Sequence, residues 1–286
     1  LTKEAMAALD QAMRAVEVDY HASFAEWQAA NPQPGELFLV FYGSADGYLA
    51  MAQTDRHTKA VRIPLSGRPR PDDLRERFLP PFAKEIGAAH KIYLFVSGVL
   101  YGMDLHATPF GGRPLIDQVP VVYGIDFPHS LFAKGAASKV SHKSEGNAVI
   151  MGDQSGALVN TKREIEAVRS VFRRAGWQVF PAKEGAKGIR QLRTSLATAD
   201  LFHFAGHGLG KSDHIYERAL QVSDTTSLRV SDVLSLPMVP RFAFLSACES
   251  AHQSGETTVE ELGLAQSFLA AGSHHVLAAS RPVKDT

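Results

Sequence analysis

The chain is poor in cysteine: of its 286 residues, Cys248 alone carries a thiol. One thiol cannot close an intrachain disulfide, which points to a reducing, cytoplasmic setting. An excess of charge is missing too, because 30 basic side chains face 30 acidic ones. That balance supplies no broad basic field, and no nucleic acid is expected to bind directly. No apolar run approaches the roughly 20 residues of a membrane span, so no membrane partner is expected. There is no repeat at a fixed period and no low-complexity tract. The start, LTKEAMAALDQ, shows neither an initiator Met nor a signal-peptide pattern, and part of a longer chain is expected. What is present is an ordinary globular composition, 45% hydrophobic and 21% charged. Such a length buries one large core or two smaller ones.

Patterning divides the chain. Met6, Leu9, Met13, Val16, Tyr20, Phe24 and Trp27 recur at spacings of three and four, which predicts an amphipathic helix over about 3–29. Three strand-like runs follow at 36–43, 47–54 and 59–65, and their short turns suggest a meander. The segment 71–87 opens with Pro and acids as a helix does, and Pro80-Pro81 is expected to split it. Apolar strands at 91–98 and 120–126 complete this part. After the polar stretch 133–147 the pattern changes to strict alternation of strands and helices. Strands 147–153, 177–182, 200–206, 241–247 and 274–280 are separated by helices at 161–176, 187–199 and 263–273. Strands apolar on both faces and alternating with helices predict a parallel sheet covered on each side. We expect an N-terminal helix and α+β half over 1–140 and an α/β half over 141–286.

Two of the predicted parallel strands end in reactive residues. DLFHFAG runs into His207-Gly208, and RFAFLSA runs into Cys248. Ligands of parallel sheets bind beyond the carboxyl ends of the strands. A crossover through 209–240 that made these strands neighbours would set imidazole and thiol at one sheet edge. The imidazole could then take the thiol proton or pair with the thiolate. The N–H of Gly208, with that of Cys248, could donate to a tetrahedral oxyanion. On the residues alone, Cys248 also fits a small buried hydrophobe with no chemistry.

HFAGHG (203–208) and LSACESA (245–251) resemble the two signatures of the CHAT domain, a caspase-like family of clan CD cysteine peptidases with separase and the caspases as more distant relatives. VSGVLYGMDLHATPFGGRPLID, NAVIMGD with the helix from Thr161, and ELGLAQSFLAAGSHHVLAAS are similar to further family stretches in the same order. The resemblance implies a caspase-like, parallel-rich α/β sheet flanked by helices, after an α+β, pseudo-caspase-like half. It implies a cysteine endopeptidase that hydrolyses a protein through an acyl-enzyme, needing no cofactor and no metal. His207 would be the base, Cys248 the nucleophile, Gly208 an oxyanion donor and His203 a packed histidine behind them. Family members are often joined to sensor regions, and some bacterial ones act in antiviral defence by cleaving gasdermin-like pore formers. A regulatory sensor outside this chain and a substrate of that kind are thus implied. The alternative is a non-catalytic caspase-like scaffold that binds a partner in the same groove.

Two departures bear on substrate choice. Arg281-Pro282-Val283 stands where many members read Trp-Pro-Val, and the family continues with elements expected beyond Thr286. By analogy Asp153, ending the first strand of the second half, would line the pocket for the residue before the scissile bond. Its carboxylate would favour Arg or Lys there, whereas Arg281 would oppose them. Basic and neutral or apolar preferences both stay open, as does a turn-capping role for Asp153. Other signals are declined. His203 and His207 would be about 13 Å apart in an extended strand, too far for one metal ion. GHGLGKS lacks the first glycine of a phosphate loop. His274-His275 is read as packed at the start of a buried strand.

Overall fold

Residues 32–44, 46–124, 146–152, 158, 160–180, 186–209, 218–248, 250 and 263–279 are described by the structure, a computed structural model. The predicted helix over 3–29, the polar boundary at 133–147 up to residue 145, the near-match to a phosphate loop at 210–212, and both Asp153 and Arg281 lie outside the described residues.

The first sheet begins as the predicted meander: β1 (Glu36–Ser44), β2 (Gly47–Gln53) and β3 (Thr58–Pro64) pair antiparallel in sequence. Residue 47 must be glycine. Its φ is +139°, and a Cβ there would overlap the Ile63 carbonyl oxygen, so the β1–β2 turn packs hard on the end of β3. β4 (Lys91–Val96) joins β1 in parallel. After the small hairpin β5 (Pro109–Phe110) and β6 (Arg113–Pro114), strand β7 (Val121–Gly124) adds to β4, giving the order β3-β2-β1-β4-β7. One sheet face buries Leu37, Leu39, Phe41, Leu94 and Val96 under Phe78, Phe82 and Ile86. Those three come from the 71–88 stretch, which the two prolines break as expected. It runs Pro71–Asp73, Leu74–Phe78, Pro80–Phe82 and Ala83–Ala88, with helical type changing at each step. Pro has no N–H to donate, so a continuous α ladder cannot cross residues 80 and 81.

The second sheet is parallel throughout. It contains β8 (Asn147–Gly152), β9 (Gln178–Phe180), β10 (Leu201–Gly206), β14 (Phe242–Ala247) and β15 (His275–Ala278), in the order β15-β14-β10-β8-β9. Leu201 to Gly206 are buried at every position, as a central strand covered on both faces must be. On one face Ile165, Val168 and Phe172 of the helix Thr161–Arg174 pack over Ala148, Ile150, Leu201 and Ala205. On the other, Leu192, Val233 and Phe268 cover Val149, Phe202, Phe204 and Leu245. The helices Ala186–Leu196, Val230–Leu234 and Leu264–Ala270 supply these.

The structure adds to one expectation and corrects another. The crossover between β10 and β14 carries structure of its own: β11 (Gly208–Leu209), β12 (Ala219–Ser223) and β13 (Thr226–Arg229) form a small antiparallel sheet before the helix Val230–Leu234. The strand after His274 is an edge, not a buried strand. His275 and Leu277 are exposed along it, and the His275 ring stacks on Phe242 at 5.4 Å and 19°. Edge position is set by strand order, which apolar content alone does not reveal.

Candidate active site

The chemistry-bearing residues converge because β10 and β14 are parallel neighbours in one register. Leu201 pairs with Phe242, His203 with Phe244, Ala205 with Ser246 and Gly206 with Ala247. The register ends there, and His207 and Cys248 are the next residues after the two strands. Backbones there are separated by about 4.8 Å, the spacing of neighbouring strands. Alternation along each strand puts 203 and 205 on one face with 244 and 246. The side chains of residues 207 and 248 are half-buried. His207 and Cys248 thus follow directly on the carboxyl ends of two neighbouring strands, the edge where parallel sheets bind ligands.

Gly208 makes the approach possible. A Cβ on residue 208 would overlap the carbonyl oxygen of Cys248 and lie 3.7 Å from the Ala247 Cβ. Only a bare backbone fits. Gly208 then pairs with Leu220, and the Gln221 N–H donates to the His207 carbonyl at 2.9 Å. In antiparallel alternation that bond leaves Gly208 in the narrow, non-hydrogen-bonded position. Its N–H therefore points away from β12.

Three residues that sequence reasoning passed over build the support. Ser250, 1% exposed, clamps the turn after Cys248. Its Oγ lies 2.9 Å from the Ala247 carbonyl and 3.1 Å from that of Leu245, and accepts the Ala279 N–H at 3.1 Å. The Ser250 carbonyl takes the Ala265 N–H at 3.1 Å. One serine ties the strand end at Cys248 to the next helix and to the end of β15. Glu164, in the first turn of the helix Thr161–Arg174, reaches across the sheet. Its Oε1 is 3.0 Å from His203 Nε2, and its Oε2 accepts the Ser246 hydroxyl at 3.3 Å. The carboxylate spans both strands, joining the row of His203 and Phe244 to that of Ala205 and Ser246.

Gly152 lets that helix sit so close. A Cβ there would lie 2.5 Å from Thr161 Cγ2 and 3.1 Å from the Ala205 carbonyl oxygen. His203, 9% exposed, is the packed histidine expected from the sequence. Burial pushes its pKa below the ordinary histidine value, while Glu164 pulls the other way. No sequence pattern points to Glu164 or Ser250, since both act through partners distant in the chain. Ser246 carried a faint signal, being two residues before Cys248. Among the described residues, no three His, Cys, Asp or Glu side chains gather as a metal site. No described helix is long and apolar enough to cross a membrane.

A parallel sheet with helices on both faces, and imidazole and thiol at the ends of adjoining central strands, defines the caspase-like class. The CHAT domain model matches residues 70–286, and the chain belongs to that family. Two solved structures of the Saccharomyces cerevisiae separase–securin complex share the fold, with TM-scores of 0.51 and 0.50 at 15% identity. Each match covers 68% of this chain and 12% of the separase chain. No curated protein matches.

Proposed function

We propose that this chain is a cysteine endopeptidase of the CHAT type, with Cys248 as nucleophile and His207 as general base and acid. The observation that supports the reading is the register of β10 and β14, whose last pair, Gly206 and Ala247, directly precedes His207 and Cys248. The Cys248 thiol passes its proton to His207, and the thiolate adds to the scissile carbonyl. The oxyanion accepts hydrogen bonds from the backbone N–H of Gly208 and of Cys248. The C–N bond then breaks as His207 returns the proton to the leaving amine, leaving a thioester on Cys248. Water, deprotonated by His207, hydrolyses the thioester and frees the thiol.

The same reading divides the chain near residue 140 into a pseudo-caspase-like half and a catalytic half. It assigns the catalytic half as the effector part of a larger, regulated cytoplasmic protein, with defence by cleavage of a gasdermin-like substrate as its setting. Asp153 and Arg281 would line the substrate groove, in opposition over a basic residue before the scissile bond. A second reading, a non-catalytic module that holds a protein partner in the groove, finds support in separase, which is complexed with securin in the structures noted above.

A thiol-directed peptidyl probe separates the two. Because Cys248 is the only cysteine, labelling that disappears in Cys248→Ala reports that thiol alone. Labelling much faster than that of free cysteine, abolished by His207→Ala, together with cleavage of a protein substrate, supports the peptidase. Labelling at the free-cysteine rate would sink it.

A further inference from the structure

Four arginines surround an open depression of 960 Å³ where β3 ends and the 71–88 stretch begins. Arg62 comes from β3, Arg68 and Arg70 from the connecting loop, and Arg77 from the helical segment Leu74–Phe78. Two carboxylates accompany them. Asp46 pairs with Arg62, and Asp73 lies 3.6 Å from Arg70 Nε and 3.7 Å from Arg77 Nη1. Four guanidinium groups against two carboxylates leave a net charge of +2 around the rim.

The acids act as holders. Asp73 is 7% exposed, accepts the Arg70 backbone N–H at 2.8 Å, and is kept ionised first by that bond and then by the Arg70 and Arg77 charges. From beneath, it steers two arginines whose own side chains are 80% and 41% exposed. Arg77 also donates to the Pro64 carbonyl. Arg68 has no ion-pair partner among the described residues and adds an uncommitted charge. Each guanidinium offers five N–H donors in a planar fork, and these contacts engage few of them.

The loop itself is stiff. Its sequence, PLSGRPRPDD, puts Arg68 before Pro69 and Arg70 before Pro71. A residue before proline is confined to extended backbone, and Arg70 is there at φ −107° and ψ 161°. Pro69 is buried. Residues 68 and 70 are therefore presented at fixed spacing with little backbone entropy left to lose on binding. No aromatic or aliphatic wall lines this depression apart from Leu65 and Pro64. The chemistry is nearly all charge and donor.

We propose that this depression binds a compact polyphosphate group, a linear di- or triphosphate carried by a small molecule. Phosphate oxygens match guanidinium forks in pairs, which carboxylates held at 3.6–3.7 Å do not exploit. A nucleic acid fits less well, because the arginines ring one hollow instead of following a track. The site is independent of the peptidase reading and stands or falls apart from it.

Titration calorimetry with tripolyphosphate at low salt tests the proposal on the whole chain. The wild type should bind, and Arg68→Ala/Arg70→Ala should weaken binding at least about tenfold, the loss of two charge-assisted contacts. Arg68→Lys/Arg70→Lys should fall between, since charge remains and the fork is gone. Arg68→Ala alone, which removes no ion pair of the fold, gives a loss that unfolding cannot mimic. No binding by the wild type overturns the proposal, as does equal binding by the alanine or the lysine pair. A 20-nucleotide single strand that bound as tightly through the same arginines would replace it with a nucleic-acid surface.

Discussion

The backbone of Gly208 lies against the carbonyl of Cys248, so close that no side chain fits between the two strand ends. Gly208→Ala must push the ends of β10 and β14 apart beside His207 and Cys248. Overpacking of this kind costs about 1–3 kcal/mol, and a shift near 1 Å at reacting groups costs about 100-fold in rate. Probe labelling of Cys248 and substrate turnover should both fall by about that factor. Wild-type labelling in this variant would show that the strand ends do not need the contact.

Ser250→Ala removes the hydroxyl that bridges the turn after Cys248 and the end of β15. The Ala279 N–H loses its acceptor, and the hydroxyl proton shared between the Leu245 and Ala247 carbonyls is gone. Leaving buried groups unsatisfied costs about 1–3 kcal/mol. A lower urea midpoint at unchanged slope is expected, together with slower labelling of Cys248.

Cys248→Ala and His207→Ala are different, because both side chains are only half-buried at a strand end. Each should abolish cleavage while moving the unfolding midpoint little. A loss of about 2–5 kcal/mol, typical of large core truncations, would favour a packing role for the residue concerned.

Glu164→Gln keeps shape and removes charge. The His203 ring, already pushed down by burial, then loses the carboxylate that raises its pKa. Its titration, followed by NMR of the imidazole, should move to still lower pH. An unchanged titration would mean that the 3.0 Å pair does not form in solution.

Acid should destabilise the fold through histidines. His203 and His274 both have pKa values lowered mainly by burial, the second also by Arg241. Unfolded, each takes up its proton near 6.5. As pH falls through that value the unfolded state binds protons that the folded state refuses, so stability drops. The stabilisation is complete above about pH 7 and lost on descent through the lowered folded values. Urea midpoints at pH 7.5 and 5.5 check the sign, and a higher midpoint at pH 5.5 would contradict it.

Much of this was legible in the chain itself. Apolar runs of strand length, alternating with helical stripes such as Ile165, Val168 and Phe172, determined the parallel sheet of the second half. The Pro80-Pro81 pair determined the break in the helical stretch. The paired endings His207-Gly208 and Cys248 marked one edge of the sheet, since strand direction and side-chain alternation are local properties. Which strands adjoin, which is outermost and what crosses between them are not local. Only the tertiary structure decided that β15 is an edge, leaving His275 exposed, and that the β10–β14 crossover holds a small sheet. It alone put the Glu164 carboxylate between His203 and Ser246, and the Ser250 hydroxyl between the ends of β14 and β15. Such bonds join residues that share no period or spacing, so their energy depends on register and packing that no single segment encodes.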